Sequence, residues 1–274
     1  MKINNVTSES NATLKLIRSL HKRSNREKQQ LFLMEGSHCL QEACKRDLDL
    51  QAIVASQSYI TNSKDELNEL DLEQITVVED KLFAELMTTT SSCGILAVAP
   101  IPKEGSADIT KWTPRVILIV DAVQDPGNLG TLFRSALAAE LGGVVLMRGC
   151  VDAYNPKTVR AAAGALFDMP MKSDVLPADL INSLKSNGYR LVACEAKGSI
   201  SYFECDLSDK VALVLGNEGQ GVSEDLLAGA DEKIRIPMNP KSESLNVAIS
   251  GGIILFETYR QRLSGRGDAA HLSN

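Results

Sequence analysis

The chain has 274 residues, 44% apolar and 23% charged, proportions typical of folded globular domains and enough chain for about two of ordinary size. This excludes disordered and collagen-like chains, and no run approaches the ~18–20 apolar residues of a bilayer span. The formal charge of −6 excludes a uniformly basic nucleic-acid coat but hides an asymmetry: residues 1–30 carry a net +5, which leaves −11 on the remainder.

The N-terminus, MKINNVTSES, lacks the basic-then-apolar layout of a signal peptide, so a cytoplasmic protein is expected. A helical pattern follows over 12–24. Lys15, Arg18, Lys22 and Arg26 fall at i, i+3, i+7 and i+11, one stripe of a helix, with Leu16, Ile17 and Leu20 available to pack beneath. Such a stripe can track an RNA phosphate backbone or be a solvated charged face. Further helical pattern at 37–46, β-like LQAIVAS at 50–56, an acidic stretch at 64–80, another helical pattern near 80–87 and apolar GILAVAP at 94–100 predict a small α/β domain over 1–99. The Pro/Gly/Ser-rich stretch 100–114 reads as a linker to a second domain over 115–274.

In that second domain RVILIVD (115–121), GGVVLM (142–147), YRLVACEA (189–196), KVALVLG (210–216) and IRIPM (234–238) read as strands. Helical patterns include NPKTVRAAAGALF (155–167) and SLNVAISGGIILFETYRQRL (244–263). Apolar strands alternating with helices predict a mainly parallel sheet covered on both faces, with ligands at the carboxyl ends of its strands.

Three strand-to-loop junctions carry the candidate chemistry. In VDAVQDPGNLGTLFRSA (120–136), Asn128 is placed to cap a helix on which Leu129, Leu132, Phe133 and Ala136 form the apolar face, and Arg134 lies about 140° from Leu129, away from the core. LVLGNEGQGVSE (213–224) is a Gly-rich loop matching neither a dinucleotide fingerprint nor a P-loop. In IPMNPKSESLNVAISGGIILFE (236–257), Ser244 can cap a helix with Leu245, Ile249, Ile253 and Phe256 on one face. Gly251 and Gly252 inside it imply close packing against the sheet or a second subunit.

These three stretches, in this order, resemble the signature motifs of the SpoU (TrmH-like) family of the SPOUT superfamily, S-adenosylmethionine-dependent RNA 2′-O-ribose methyltransferases. NATLKLIRSL (11–20) and FLMEGSHCLQEA (32–43) resemble the small RNA-binding domain that precedes the catalytic domain in rRNA-modifying members. The resemblance implies a SPOUT catalytic domain with a C-terminal trefoil knot that holds the cofactor, and a homodimer through that domain with residues of both subunits in the active site. It further implies that Gly216, Asn217, Ile236, Met238 and Leu245 surround the adenosine and that Asn128, Arg134, Glu218, Ser244 and Asn246 are the polar active-site positions. Ribosomal RNA is the substrate the two-domain layout suggests. Transfer RNA, or a non-catalytic RNA-binding protein that keeps the fold, are the alternatives. The six cysteines contain no CxxC pair and read as reduced core thiols, and three scattered histidines predict no metal site.

Overall fold

The apolar runs of the sequence assemble into two sheets in a computed structural model, which describes residues 2–70, 72–87, 93–102, 109–242 and 244–265. Residues 103–108 of the expected linker lie outside the described residues. In chain order the first elements are β1 (Lys2–Asn5), α1 (Ala12–Leu20), α2 (Arg23–Gln29), β2 (Leu31–Glu35), α3 (Ser37–Cys44), β3 (Ala52–Ser56), α4 (Gln57–Asn62), α5 (Lys64–Glu69), β4 (Gln74–Val78), α6 (Asp80–Ala84) and β5 (Ile95–Pro100). There follow β6 (Val116–Val120), α7 (Pro126–Ala138), β7 (Gly143–Met147), α8 (Pro156–Ala162), α9 (Ala165–Asp168), β8 (Met171–Val175), α10 (Pro177–Ser186), β9 (Arg190–Cys194), β10 (Ile200–Ser201), β11 (Val211–Leu215), α11 (Glu224–Gly229), β12 (Glu232–Arg235) and α12 (Val247–Gly265).

Two compact units divide this chain: Met1–Lys103 with Asp152–Phe167, and Glu104–Val151 with Asp168–Asn274. The first holds a five-stranded sheet ordered β1-β4-β3-β5-β2, in which β5 runs antiparallel to both β3 and β2. On one face Leu14, Ile17 and Leu20 of α1 and Leu82 and Phe83 of α6 pack with Leu31, Leu33 and Val54. Phe32, between Leu31 and Leu33, points to the opposite face. There its ring meets those of Tyr154 and Phe167, at centroid distances of 5.1 and 6.2 Å. Residues 152–167, distant in sequence, thus complete the layering of this sheet. They form two helices, not the single one expected. Ala163 and Gly164 take φ of +48° and +88°, and a side chain at Gly164 would press on Glu42.

The N-terminal helical pattern also breaks. The chain turns at His21 and Lys22, where Lys22 is extended ahead of α2, so the four basic residues do not share one helix. Arg26 is corrected most: it is 2% exposed. Its Nε and Nη2 donate to Asp152, and its Nη1 donates to the carbonyls of Leu20 and His21 at 2.7 and 3.0 Å. It ties the end of α1 to the 152–167 segment and offers no open face to RNA.

The second unit is a seven-stranded, wholly parallel sheet ordered β10-β12-β9-β11-β6-β7-β8. Its centre is apolar on every residue: Val116–Val120 and Val211–Leu215 are buried throughout, as strands covered on both faces must be. α12 packs on α7. Gly251 faces inward, where a Cβ would collide with Leu132 of α7 and Leu215 of β11, whereas Gly252 faces open space. Leu245, Ile249, Ile253 and Phe256 do not form the core face. Ile249 and Phe256 are 57% and 49% exposed, and the buried side is Val247, Gly251, Ile254, Leu255 and Thr258. No helix among the described residues is long and apolar enough to cross a membrane.

Candidate active site

Neighbouring strands β6 and β11 run parallel, so the loops that follow them leave the sheet at the same end. After β6 the chain turns through Ala122, at φ +54°, into α7. Asp125 is the N-cap of α7, its Oδ1 accepting from the Asn128 amide at 2.7 Å. This corrects the expectation that Asn128 caps the helix, and it leaves the Asn128 side chain available. Asn128 Nδ2 donates to Glu218 Oε1 at 2.7 Å, and Asn128 Oδ1 accepts from Asn246 Nδ2 at 2.9 Å. Asn246 in turn caps α12, its Oδ1 accepting from the amides of Ala248 and Ile249 at 2.9 and 3.3 Å. Ser244, the expected cap, is exposed and makes no hydrogen bond among the described residues.

One relay therefore joins all three motif stretches, and its direction is set. The amides at the start of α12 donate to Asn246, Asn246 to Asn128, and Asn128 to Glu218.

The loop after β11 is closed by Asn217. Its main chain exchanges two hydrogen bonds with Gly221, both 2.9 Å, and its Oδ1 accepts from the amides of Gly219 and Gln220. Its Nδ2 donates to the Ala122 carbonyl at 2.8 Å. Gly216 is buried, and a Cβ there would strike the Gly221 main chain. Asp121, which sequence reasoning missed, is 6% exposed and accepts from the Ser223 amide at 2.7 Å. Its only signal was an acid closing an apolar strand.

Arg134 projects from α7 into solvent and makes no hydrogen bond or ion pair among the described residues. The relay does not include it. Ile236, Met238 and Leu245 are half-buried. The main-chain N–H and C=O groups of Met238 and Leu245 have no partner among the described residues. Partly buried main-chain groups beside apolar side chains are suited to the edge and face of a purine base, since such groups require a partner. In the first unit Lys15 and Lys22 are exposed. Arg18 is half-buried, with Nη1 donating to the Glu9 carbonyl and Nη2 3.6 Å from Glu85. Among the described residues no three His, Cys, Asp or Glu side chains gather as a metal would require.

A parallel α/β unit with linked polar loops at the carboxyl ends of its central strands is the frame of a ligand-binding site, and comparison with known proteins makes this specific. The chain belongs to the SpoU rRNA methylase family, which residues 115–256 match, and residues 11–97 match the MRM3-like substrate binding domain. It is 35% identical over 254 residues to the 23S rRNA (guanosine(2553)-2′-O)-methyltransferase RlmP of Bacillus subtilis, covering 92% of this chain and 97% of that one. A solved RNA 2′-O ribose methyltransferase superposes with a TM-score of 0.82 at 28% identity, over 94% of this chain and 99% of the other. The SpoU methyltransferase AviRb of Streptomyces viridochromogenes, solved with AdoMet, gives a TM-score of 0.81 at 25% identity, over 93% and 99%.

Proposed function

We propose that this protein transfers a methyl group from S-adenosylmethionine to a ribose 2′-hydroxyl of ribosomal RNA. The observation that carries this reading is the Asn246–Asn128–Glu218 relay, which unites in one place the three stretches by which the chain resembles its family. The names of the Bacillus relative and of the matched substrate-binding domain favour ribosomal over transfer RNA.

S-adenosylmethionine supplies an electrophilic methyl carbon. Gly216, Ile236, Met238 and Leu245 would hold its adenosine through main-chain groups and apolar contact, with Asn217 alongside. What the chain must then do is position and stabilise charge. Glu218 and Asn128 orient the hydroxyl, and Asn246 fixes the third loop. Arg134 presents its cationic guanidinium from the exposed face of α7. Its role is to bind the RNA phosphate and to stabilise negative charge as the hydroxyl proton leaves. Lys15, Arg18 and Lys22 supply a basic surface for RNA on an otherwise acidic protein. We infer a cytoplasmic homodimer joined through the side of α12 that exposes Ile249 and Phe256, with half-buried Ile253 between them, and a trefoil knot formed by the C-terminal segment.

The test is incubation with methyl-labelled S-adenosylmethionine and either ribosomal or transfer RNA, followed by mapping of the label. Label on a ribose of ribosomal RNA is expected. Transfer only to transfer RNA, label on a base, or no transfer would overturn the reading.

A further inference from the structure

We propose that Asn217 is a positioning residue that acts through Glu218, setting the place of its carboxylate relative to Asn128, and is not a ligand of the methyl donor. The inference rests on the methyl-transfer reading above.

Glu218 is exposed and sits in an irregular loop, where a free carboxylate would sample several rotamers. The hydrogen bond from Asn128 selects among them, and the main chain that brings the carboxylate within its reach is set one residue earlier. Asn217 folds the loop upon itself: its main chain pairs with Gly221, and both acceptor sites of its Oδ1 are taken by Gly219 and Gln220. Glu218 is carried at the tip of that closed turn. The remaining bond of the side chain leaves the loop altogether, from Nδ2 to the carbonyl of Ala122.

Ala122 is the turn that leads into α7, and it is held at φ +54°, a conformation an alanine disfavours. Asn217 therefore does two things at once. It shapes the loop that presents Glu218, and it fixes that loop on the turn from which Asn128 follows six residues later. The bond between Asp121 and the Ser223 amide makes the matching tie on the far side of the loop. With its oxygen saturated and its nitrogen tethered, the Asn217 side chain has one amide hydrogen left, too little for it to act as a main recognition element for the donor.

The decisive variant is Asn217→Asp, which keeps the size and the acceptor oxygen but turns the bond to Ala122 into an oxygen–oxygen repulsion. At saturating RNA and donor, kcat should fall about 10–100-fold, as for a misplaced catalytic group, while S-adenosylmethionine affinity by calorimetry changes less than about threefold. In a Glu218→Ala background the same substitution should slow turnover by no more than about threefold further, because residues that act as a unit are not additive. Should Asn217→Asp not fold, Asn217→Ser carries the same comparison. Retained kcat with weakened donor binding would overturn the inference and make Asn217 a ligand, and full additivity with Glu218→Ala would overturn it too. A wild-type protein that transfers no methyl group to ribosomal RNA would instead defeat the functional reading itself.

Discussion

Asn246 and Asn128 stand 118 residues apart in sequence, yet the amide of the first donates to the carbonyl of the second over 2.9 Å while its own oxygen caps α12. The two jobs of Asn246 are separable. Asn246→Asp keeps the cap but loses the donor to Asn128, so the melting temperature should stay near wild type while turnover falls. Asn246→Ala should lose both, with about 1 kcal/mol of stability from the missing cap. Thermal melting beside a turnover assay distinguishes the two.

Arg134 is exposed and outside the relay, which frees it for phosphate. Arg134→Ala should abolish methylation while S-adenosylmethionine binding by calorimetry is unchanged. Normal turnover in this variant would exclude Arg134 from the chemistry.

Basic residues of the first thirty positions divide by burial. Replacing Lys15, Arg18 and Lys22 with Gln should weaken RNA binding and flatten its salt dependence by roughly 0.7–0.9 in log–log slope for every phosphate that is no longer neutralised. Arg26→Gln should act on stability instead. It strands Asp152 and two carbonyls that Arg26 now satisfies, a loss of about 3 kcal/mol by analogy with other broken buried pairs. Urea unfolding measures this, and a stable Arg26→Gln protein with weakened RNA binding would reverse the assignment.

The stripe on α12 gives a hydrodynamic prediction. Phe256→Glu places a charge on a face that a dimer would bury, and sedimentation should show the variant at half the mass of the wild type. A monomeric wild type would remove the basis for a dimer through this helix.

All six cysteines are free thiols, and burial pushes each of them up from the ordinary range: Cys39 to about 12, Cys150 to about 11, Cys205 to about 12, and Cys44, Cys93 and Cys194 in the same direction. Raised values mean less of the reactive thiolate, about one part in a thousand at pH 8 for a thiol near 11. The folded protein should therefore react slowly with a disulfide reagent at pH 8, faster as pH rises, and fully once unfolded in urea.

Much of this arrangement is legible in the sequence because apolar runs announce buried strands: RVILIVD and KVALVLG became the adjacent centre of the parallel sheet. Polar strands announce nothing. Lys2–Asn5 is exposed along its length, and Met171–Val175 carries Lys172, Ser173 and Asp174 in its middle. Asn128, Glu218 and Asn246 stand out as motif residues, but the bonds among them depend on which strands neighbour one another, which no local pattern encodes. The inward turn of Arg26 was hidden for a related reason. His21, Lys22 and Arg23 are all compatible with a continuous helix, and only packing on Asp152 reveals the break.

The layering of Phe32 between Tyr154 and Phe167 has a consequence during synthesis. No continuous stretch of the gene encodes either unit, since the polypeptide crosses from one to the other after residues 103, 151 and 167. A nascent chain ending near position 103 must hold an uncovered aromatic sheet surface until Phe167 has emerged, on the order of several seconds later at ~5–20 residues per second. Ribosome-bound helpers would meet that surface first, and a truncation at the apparent linker would leave it bare for good.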